Sequence, residues 1–135
     1  MNPNMSHLGL LVLRLGVGGL MLFHGIHKLQ HGLQPIKKML SQNNLPELLA
    51  YGVPAGEVLA PLLIILGYKT RIGGALQAFT MLMSLYIAYG AGTFEINKYG
   101  GLAAELNLLF LAGSLALCLT GAGKYSISKG KGKWD

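Results

Sequence analysis

The sequence predicts an all-α protein, a bundle of four transmembrane helices with both termini in the cytoplasm. Hydrophobic residues make up 52% of the 135-residue chain and charged residues only 12%, with a mean hydropathy of +0.48. Soluble proteins carry about 25% charged residues. The apolar residues also gather in four runs that are separated by polar or basic stretches. The composition therefore excludes an ordinary soluble domain and favours an integral membrane protein.

The first predicted span covers residues 8–29 and is long enough to cross a hydrocarbon core about 30 Å thick. No basic segment precedes it and no A-x-A pattern follows it, so it is interpreted as an uncleaved helix rather than a signal peptide. In the polar loop 30–51, the apolar residues Ile36, Met39 and Leu40 recur at helical spacing. This spacing indicates either a short amphipathic helix on the membrane surface or an ordinary connecting helix.

The remaining spans are predicted at 53–67, 72–89 and 102–119. The second is short for a span, and Pro61 is expected to kink it. The third ends in two tyrosines, which is typical of an interfacial aromatic belt. Residues 1–126 are thus predicted to form one membrane domain, and the basic residues 127–135 a flexible tail.

The distribution of basic residues predicts the orientation in the membrane. Four spans place both termini on one side, and that side carries six lysines and arginines against three on the other. The six are Lys69, Arg71, Lys124, Lys129, Lys131 and Lys133, and the three are Lys37, Lys38 and Lys98. The positive-inside rule then predicts cytoplasmic termini and a multi-pass protein of the inner (plasma) membrane. The net charge of +6 is therefore attributed to membrane-flanking residues, and no nucleic-acid partner is expected.

Polar residues from all four spans are predicted to meet in the half of the bundle opposite the termini. His24 and Lys28 end the first span, Glu57 and Glu105 begin the second and fourth, and Tyr86 lies near the end of the third. An ionisable residue in a membrane costs at least about 2.5–3.5 kcal/mol, so such residues are functional hypotheses by default. The candidate catalytic residues are His24, Lys28, Glu57 and Glu105. Together with Tyr86 they form a candidate binding site. Structural pairing of the charges is the alternative.

Arg14 belongs to the same helix stripe but is expected to stand apart. It lies ten residues before His24, about 15 Å along the helix axis, and so cannot reach either glutamate. Gln77 lies at a similar depth and is the predicted partner of Arg14. Both residues are therefore interpreted as structural polar residues.

The sequence offers no pattern for a covalent cofactor. Cys118 is the single cysteine, and the chain contains neither a CxxCH nor a GxGxxG motif. His24, Glu57 and Glu105 are residue types that suit a metal, but their positions lack a tight ligand spacing. No metal site is predicted, and a metal or haem site stays an alternative.

Four motifs in a fixed order resemble the DoxX family of small four-helix membrane proteins, over nearly the whole chain. They are R-L-x-x-G with H-G-x-x-K at 14–28, E-x-x-A-P-L-L with a later G and T-R at 57–71, G-G-x-x-x-E at 100–105 and T-G-x-G-K-Y-S at 120–126. The chain departs from the family at Ala122 and Lys124, where G-P-G-R-Y-S is common. It departs again at Ser128, where an aspartate often follows.

The resemblance implies the fold, the membrane location and a class of chemistry. The family's name is linked to a membrane subunit of a thiosulfate:quinone oxidoreductase, and other members are associated with oxidative-stress complexes and quinone or catechol detoxification. A quinone-linked redox subunit is thus expected, whose polar site holds a quinone or a lipid head group. A soluble oxidoreductase partner would supply electrons, or the quinone would be the only redox group. A membrane anchor or assembly subunit, a small transporter and a homo-oligomer are the alternatives.

Overall fold

A computed structural model describes residues 3–135 as five α-helices joined by shorter helical segments. The helices are α1 (Pro3–His31), α2 (Gln34–Gln42), α3 (Ala60–Leu66), α4 (Thr70–Ser84) and α5 (Glu105–Thr120). A 3-10 segment at Glu47–Gly52 and a first π segment at Ala55–Leu59 lead into α3. A second π segment at Leu85–Tyr89 and a 3-10 turn at Gly90–Phe94 extend α4. Residues 3–135 contain no β-strand, so the all-α prediction is confirmed.

Three segments of the described chain are long and apolar enough to cross a membrane: Asn4–His31, Glu47–Leu66 and Thr70–Phe94. The second begins at Glu47 instead of residue 53, because the 3-10 and π segments continue the helical path ahead of α3. The prediction that this span is short is therefore wrong. α5 is apolar but has 16 residues, which rise only about 24 Å. The fourth crossing and the cytoplasmic termini stay predictions.

The helices α1, α3, α4 and α5 close into a ring. α1 packs against α3 and α5, and α4 packs against the same two helices. Met21, Met81 and Phe110 form the buried centre of this ring. α2 lies across one end of the bundle, where it packs on the 3-10 segment Glu47–Gly52 and on the second π segment. The predicted helix in the loop is thus confirmed.

The first π segment has a simple cause in Pro61. Proline has no N–H, so it cannot donate to the Glu57 carbonyl four residues earlier. The chain ahead of Pro61 adopts the wider π register, in which the Ala60 N–H donates to the Ala55 carbonyl. Pro61 therefore changes the helical register at the position of Glu57.

The turn between α3 and α4 depends on Gly67. Its φ of +68° is left-handed, and Tyr68 N–H donates to the Leu63 carbonyl while Gly67 N–H donates to the Ile64 carbonyl. This pattern is a Schellman motif, which favours glycine because it has no Cβ. The turn leaves the last carbonyls of α3 available to other donors.

Residues 127–135, predicted to be a flexible tail, lie against the α3–α4 turn. The Thr70 N–H donates to Asp135 Oδ1 at 2.9 Å, and the Arg71 N–H donates to the Trp134 carbonyl at 3.0 Å. The Ile127 N–H donates to the carbonyl of the last residue of α3 at 3.1 Å. These bonds give the tail a defined path, while its flexibility stays a prediction that amide exchange would measure.

Candidate functional site

Arg14 is 1% exposed and makes four hydrogen bonds, all of them to backbone carbonyls. Nε and Nη2 donate to the carbonyls of Ile64 and Ile65 at 2.8 and 2.7 Å. Nη1 donates to those of Ala122 and Tyr125 at 3.0 and 2.7 Å. The guanidinium therefore joins α1 to the end of α3 and to the segment after α5.

The predicted pairing of Arg14 with Gln77 is wrong. Carbonyls at a helix C-terminus carry partial negative charge and have no partners within their own helix, so they satisfy a guanidinium without a carboxylate. Gln77 is fully buried on α4, and neither atom of its amide has a hydrogen-bond partner within residues 3–135. Its structural role stays a prediction.

A second charged group in the bundle is the ion pair of Lys28 and Glu57, in which the Glu57 side chain is buried. Lys28 Nζ donates to Glu57 Oε1 at 2.5 Å. The Lys28 side chain is 34% exposed and that of Glu57 only 3%. Glu57 Oε2 is buried and has no hydrogen-bond partner in the described chain. The carboxylate thus keeps one acceptor free, although it is almost fully removed from solvent.

Gly25 allows the two residues to meet. It lies one helical turn before Lys28, and its Cα packs directly on the backbone carbonyl of Glu57, where a Cβ would overlap. Gly18 repeats this approach two turns earlier against Pro61. Small residues let helix backbones come close in membrane proteins, so the α1–α3 contact fixes the position of the ion pair.

A large cavity of about 610 Å³ opens on one side of the ion pair. Its wall combines the end of α1, α2, the segments ahead of α3, the C-terminal half of α4 and the second π segment. Most of the side chains in the wall are apolar, including Ile36 and Met39 from α2 and Phe79 and Met83 from α4. The amphipathic α2 therefore turns apolar residues toward this cavity, which has the size and character of a ligand pocket.

His27 and His31 lie at the α1 end of the large cavity. Their rings stack with centroids 4.0 Å apart, and His31 Nδ1 lies 2.9 Å from the His27 carbonyl. This geometry favours a proton on His31 Nδ1, directed at the carbonyl. Both residues are exposed.

A small cavity of about 140 Å³ lies on the other side of the ion pair. His24, Ser84 and Asn107 contribute to its wall together with the ion pair and four apolar residues. Asn107 Nδ2 donates to Ser84 Oγ at 2.8 Å, which links α5 to α4. Lys28, Glu57 and Ser84 border both cavities, so the ion pair forms part of the partition between them.

Glu105 and Tyr86 lie outside this arrangement. Both are exposed, Tyr86 at 58%, and neither lines either cavity. Asn107 faces the small cavity, and a residue two positions earlier on a helix points about 200° away. The structure therefore brings together His24, Lys28 and Glu57, and separates Glu105 and Tyr86 from them, which corrects the predicted grouping.

Two contributors to the site, Ser84 and Asn107, had no role in the sequence prediction. Each is a single uncharged polar residue in an apolar run, and a residue of that kind gives little signal by itself. The position of each residue along its predicted span, which grouped His24 with Glu57, could have identified them. Ser84 and Asn107 lie at the same level of their helices. Within the described chain, no three residues among His, Cys, Asp and Glu come together as metal ligands.

Comparison with known proteins gives a consistent assignment. A family model described as DoxX matches residues 9–90, which include Arg14, His24, Lys28 and Glu57. A Bacillus subtilis (strain 168) protein named "Putative oxidoreductase CatD" is 31% identical over 115 residues, which cover 85% of this chain and 81% of that protein. No solved structure matches the chain.

Proposed function

The chain belongs to the DoxX family of membrane proteins, and from this premise we propose that it is a quinone-linked redox subunit of the inner (plasma) membrane. The observation that carries the proposal is the buried Lys28–Glu57 pair in the wall of a 610 Å³ apolar cavity. Small-molecule sites typically measure about 300–1,000 Å³ and combine apolar walls with a few converging polar groups. A quinone has the matching shape, an apolar ring and tail with two polar carbonyls.

The residues at the cavity wall fit the two states of such a ligand. A quinone accepts hydrogen bonds at its carbonyls when oxidised and donates from hydroxyls when reduced. Lys28 Nζ supplies the donor, and Glu57 Oε2 supplies an acceptor that no described residue occupies. Glu57 can also hold a proton at this atom and release it. The unpaired oxygen can therefore accept a hydrogen bond from a hydroxyl of the ligand.

The electrons are assigned to a partner. We propose that a soluble oxidoreductase docks on the membrane domain and reduces the ligand, with two electrons and two protons per quinone. The relative in Bacillus subtilis carries an oxidoreductase name, which supports redox chemistry in this family. The quinone is then the exchangeable redox group, and this chain binds it, orients it and handles its protons.

We further propose four crossings with both termini in the cytoplasm. The basic residues flanking the segments, six against three, support this orientation. α5 is the shortest crossing at about 24 Å, which local thinning of the bilayer can accommodate. Lys28 and Glu57 then lie in the outer half of the membrane.

The test is equilibrium binding of decylubiquinone to the purified protein in nanodiscs. We expect saturable binding by the wild type, and at least tenfold weaker binding by Lys28→Met and by Glu57→Gln. Glu105→Gln is the matched control, because it removes a carboxylate at an exposed position outside the cavity. Its affinity should stay within twofold of the wild type.

Two results would overturn the proposal: no saturable binding by the wild type, or equal binding by all three variants. If binding is absent while an oxidoreductase still co-purifies with the chain, the membrane-anchor alternative gains support. Thermal melting in detergent identifies variants that fail to fold, and those are excluded from the comparison.

A further inference from the structure

We infer that the small cavity is a hydrated chamber that delivers protons to Glu57, on the opposite side of the ion pair from the ligand. The chemical use of these protons rests on the proposed function. The chamber itself is a property of the chain and can be tested without a ligand. It assigns a role to His24 and Asn107, which line the small cavity alone, and to Ser84, which borders both cavities.

The partition between the cavities gives the first argument. Glu57 borders both cavities, so its buried carboxylate lies between them. One oxygen is held by Lys28 Nζ, and the buried Oε2 has no partner among the described residues. A ligand filling the large cavity would exclude water from that side with its apolar body. Protons would then have to reach Glu57 from the small cavity.

The walls of the small cavity give the second argument. Its volume of about 140 Å³ has room for several water molecules, and polar partners for them are present. Ser84 Oγ accepts from Asn107 Nδ2, so the Ser84 hydroxyl proton remains available to donate. Asn107 Oδ1 remains available to accept. Water in such a cavity would connect the two residues with Glu57.

His24 gives the third argument, because it provides an entrance. It lies seven residues before the end of α1, about 10 Å along a helix of about 43 Å, and so close to the boundary of a 30 Å hydrocarbon core. Its side chain is exposed and also lines the chamber, with its ring packed edge-on against Phe110 at 5.9 Å. An imidazole can take a proton at one nitrogen and release one at the other.

Two proton transfers through Glu57 accompany the two electrons that the partner oxidoreductase supplies to each quinone. In each transfer, the Glu57 carboxylate first takes a proton from water in the chamber, and His24 replaces that proton from outside. The new O–H bond of Glu57 then breaks as an O–H bond forms on the reduced ligand oxygen. Glu57 thereby returns to the carboxylate that pairs with Lys28.

The test uses paired cysteine variants in a Cys118→Ser background. Asn107→Cys lies in the wall of the small cavity alone, and Thr80→Cys in that of the large cavity alone. We expect a small charged methanethiosulfonate reagent to modify Asn107→Cys at the same rate with and without decylubiquinone. Thr80→Cys should resist the charged reagent and react with N-ethylmaleimide, and decylubiquinone should slow that reaction at least tenfold.

The inference is overturned if Asn107→Cys resists the charged reagent, or if decylubiquinone protects it as strongly as Thr80→Cys. If Asn107→Cys reacts freely while decylubiquinone protects neither cysteine, the proposed quinone function fails and the chamber stands. The two proposals are therefore distinguishable in one experiment.

A second measurement keeps the test independent of cysteine substitution. Time-resolved infrared spectroscopy can follow protonation of the Glu57 carboxylate after a rapid drop in pH, with the carboxyl band assigned by its loss in Glu57→Gln. The nearly isosteric Asn107→Leu should slow this protonation at least tenfold, while Thr120→Val, outside both cavities, should leave its rate unchanged. Equal protonation rates in both variants contradict the inference, and Ser84→Ala serves where Asn107→Leu does not fold.

Discussion

Two cations of α1, the buried Arg14 and the partly exposed Lys28, are 14 residues apart and are stabilised in different ways. All four hydrogen bonds of Arg14 go to backbone carbonyls, which come from two separate segments. Lys28 is neutralised by a carboxylate, Glu57, that retains a free oxygen. Arg14 lines neither cavity, whereas Lys28 lines both.

The difference distinguishes a buried polar residue that stabilises the fold from one that can take part in chemistry. Arg14 uses nearly all of its N–H donors on groups that cannot titrate, so it can join helices but has little capacity to react. The Lys28–Glu57 pair contains a group that can exchange a proton, an oxygen left without a partner and cavities on both sides. Burial alone does not separate Arg14 from Glu57, since both side chains are almost fully buried. The unsatisfied oxygen and the adjacent space distinguish them.

The largest expected effect is on stability at Arg14. Arg14→Leu leaves carbonyls of α3 and of the segment after α5 unpaired in a buried site, which we expect to destabilise the fold by about 3–5 kcal/mol. Arg14→Lys keeps the charge but cannot reach all four carbonyls, so its melting temperature should lie between those of Arg14→Leu and the wild type. The measurement is thermal melting in detergent. A loss below about 1 kcal/mol in Arg14→Leu would contradict the structural role.

At the ion pair, a double substitution should restore the stability that a single substitution removes. Lys28→Met leaves Glu57 without its counter-ion and should cost about 1–3 kcal/mol, less than for a fully buried pair because Lys28 is partly exposed. Adding Glu57→Leu should recover most of the melting temperature, whereas decylubiquinone binding should remain lost. Recovery of binding in the double variant would contradict the comparison with Arg14.

Glycines of α1 give a smaller, position-dependent effect. Gly25→Ala would place a Cβ on the Glu57 backbone, so we expect a loss of about 1–3 kcal/mol and weaker ligand binding. Gly19→Ala is the matched control, since nothing lies within 4 Å of its Cβ position. It should be neutral or stabilise by about 0.5–1 kcal/mol. Equal melting temperatures of the two variants would show that the α1–α3 contact does not fix the ion pair.

The smallest effect is expected at the surface, where Lys37 Nζ donates to Tyr51 Oη at 2.9 Å and lies 4.7 Å from the centre of its ring. The hydrogen bond to Tyr51 holds the pKa of Lys37 above its ordinary value. A raised pKa means that the contribution to stability is complete below the unfolded-state pKa, about 10.4, and is lost as pH rises through the folded-state pKa. Tyr51→Phe should therefore melt slightly below the wild type at pH about 8, and the difference should vanish at strongly alkaline pH. A difference independent of pH would indicate that packing of Tyr51, not the bond, is responsible.

Much of the architecture was predictable because hydropathy reports directly on burial in a membrane. The apolar runs located α1, α4 and α5, and the spacing of Ile36, Met39 and Leu40 located α2. The positions of His24, Lys28 and Glu57 along their predicted spans also placed them at one level of the bundle. These predictions needed only the helical rise and the order of the segments.

The remaining features depend on information that side-chain patterns do not carry. The partners of Arg14 are backbone carbonyls, which every residue possesses, so no residue type identified them. Glu105 was placed in the site by its depth, but its direction depends on where α5 begins. The large cavity arises from the way α2 packs on the bundle, and the position of each residue along its own helix does not predict such a volume.

The π segment at Glu57 carries one residue more than an α-helix of the same rise requires, and this surplus sets the angular position of the carboxylate. Deleting a single apolar residue of the segment would remove this surplus residue, so Glu57 would point in a different direction relative to α1 and α4. The composition and apparent hydropathy of the segment would scarcely change. Sequence alignments of such chains should therefore be inspected for one-residue gaps at 55–59. A chain with such a gap can have a glutamate aligned with Glu57 whose carboxylate does not lie between the two cavities.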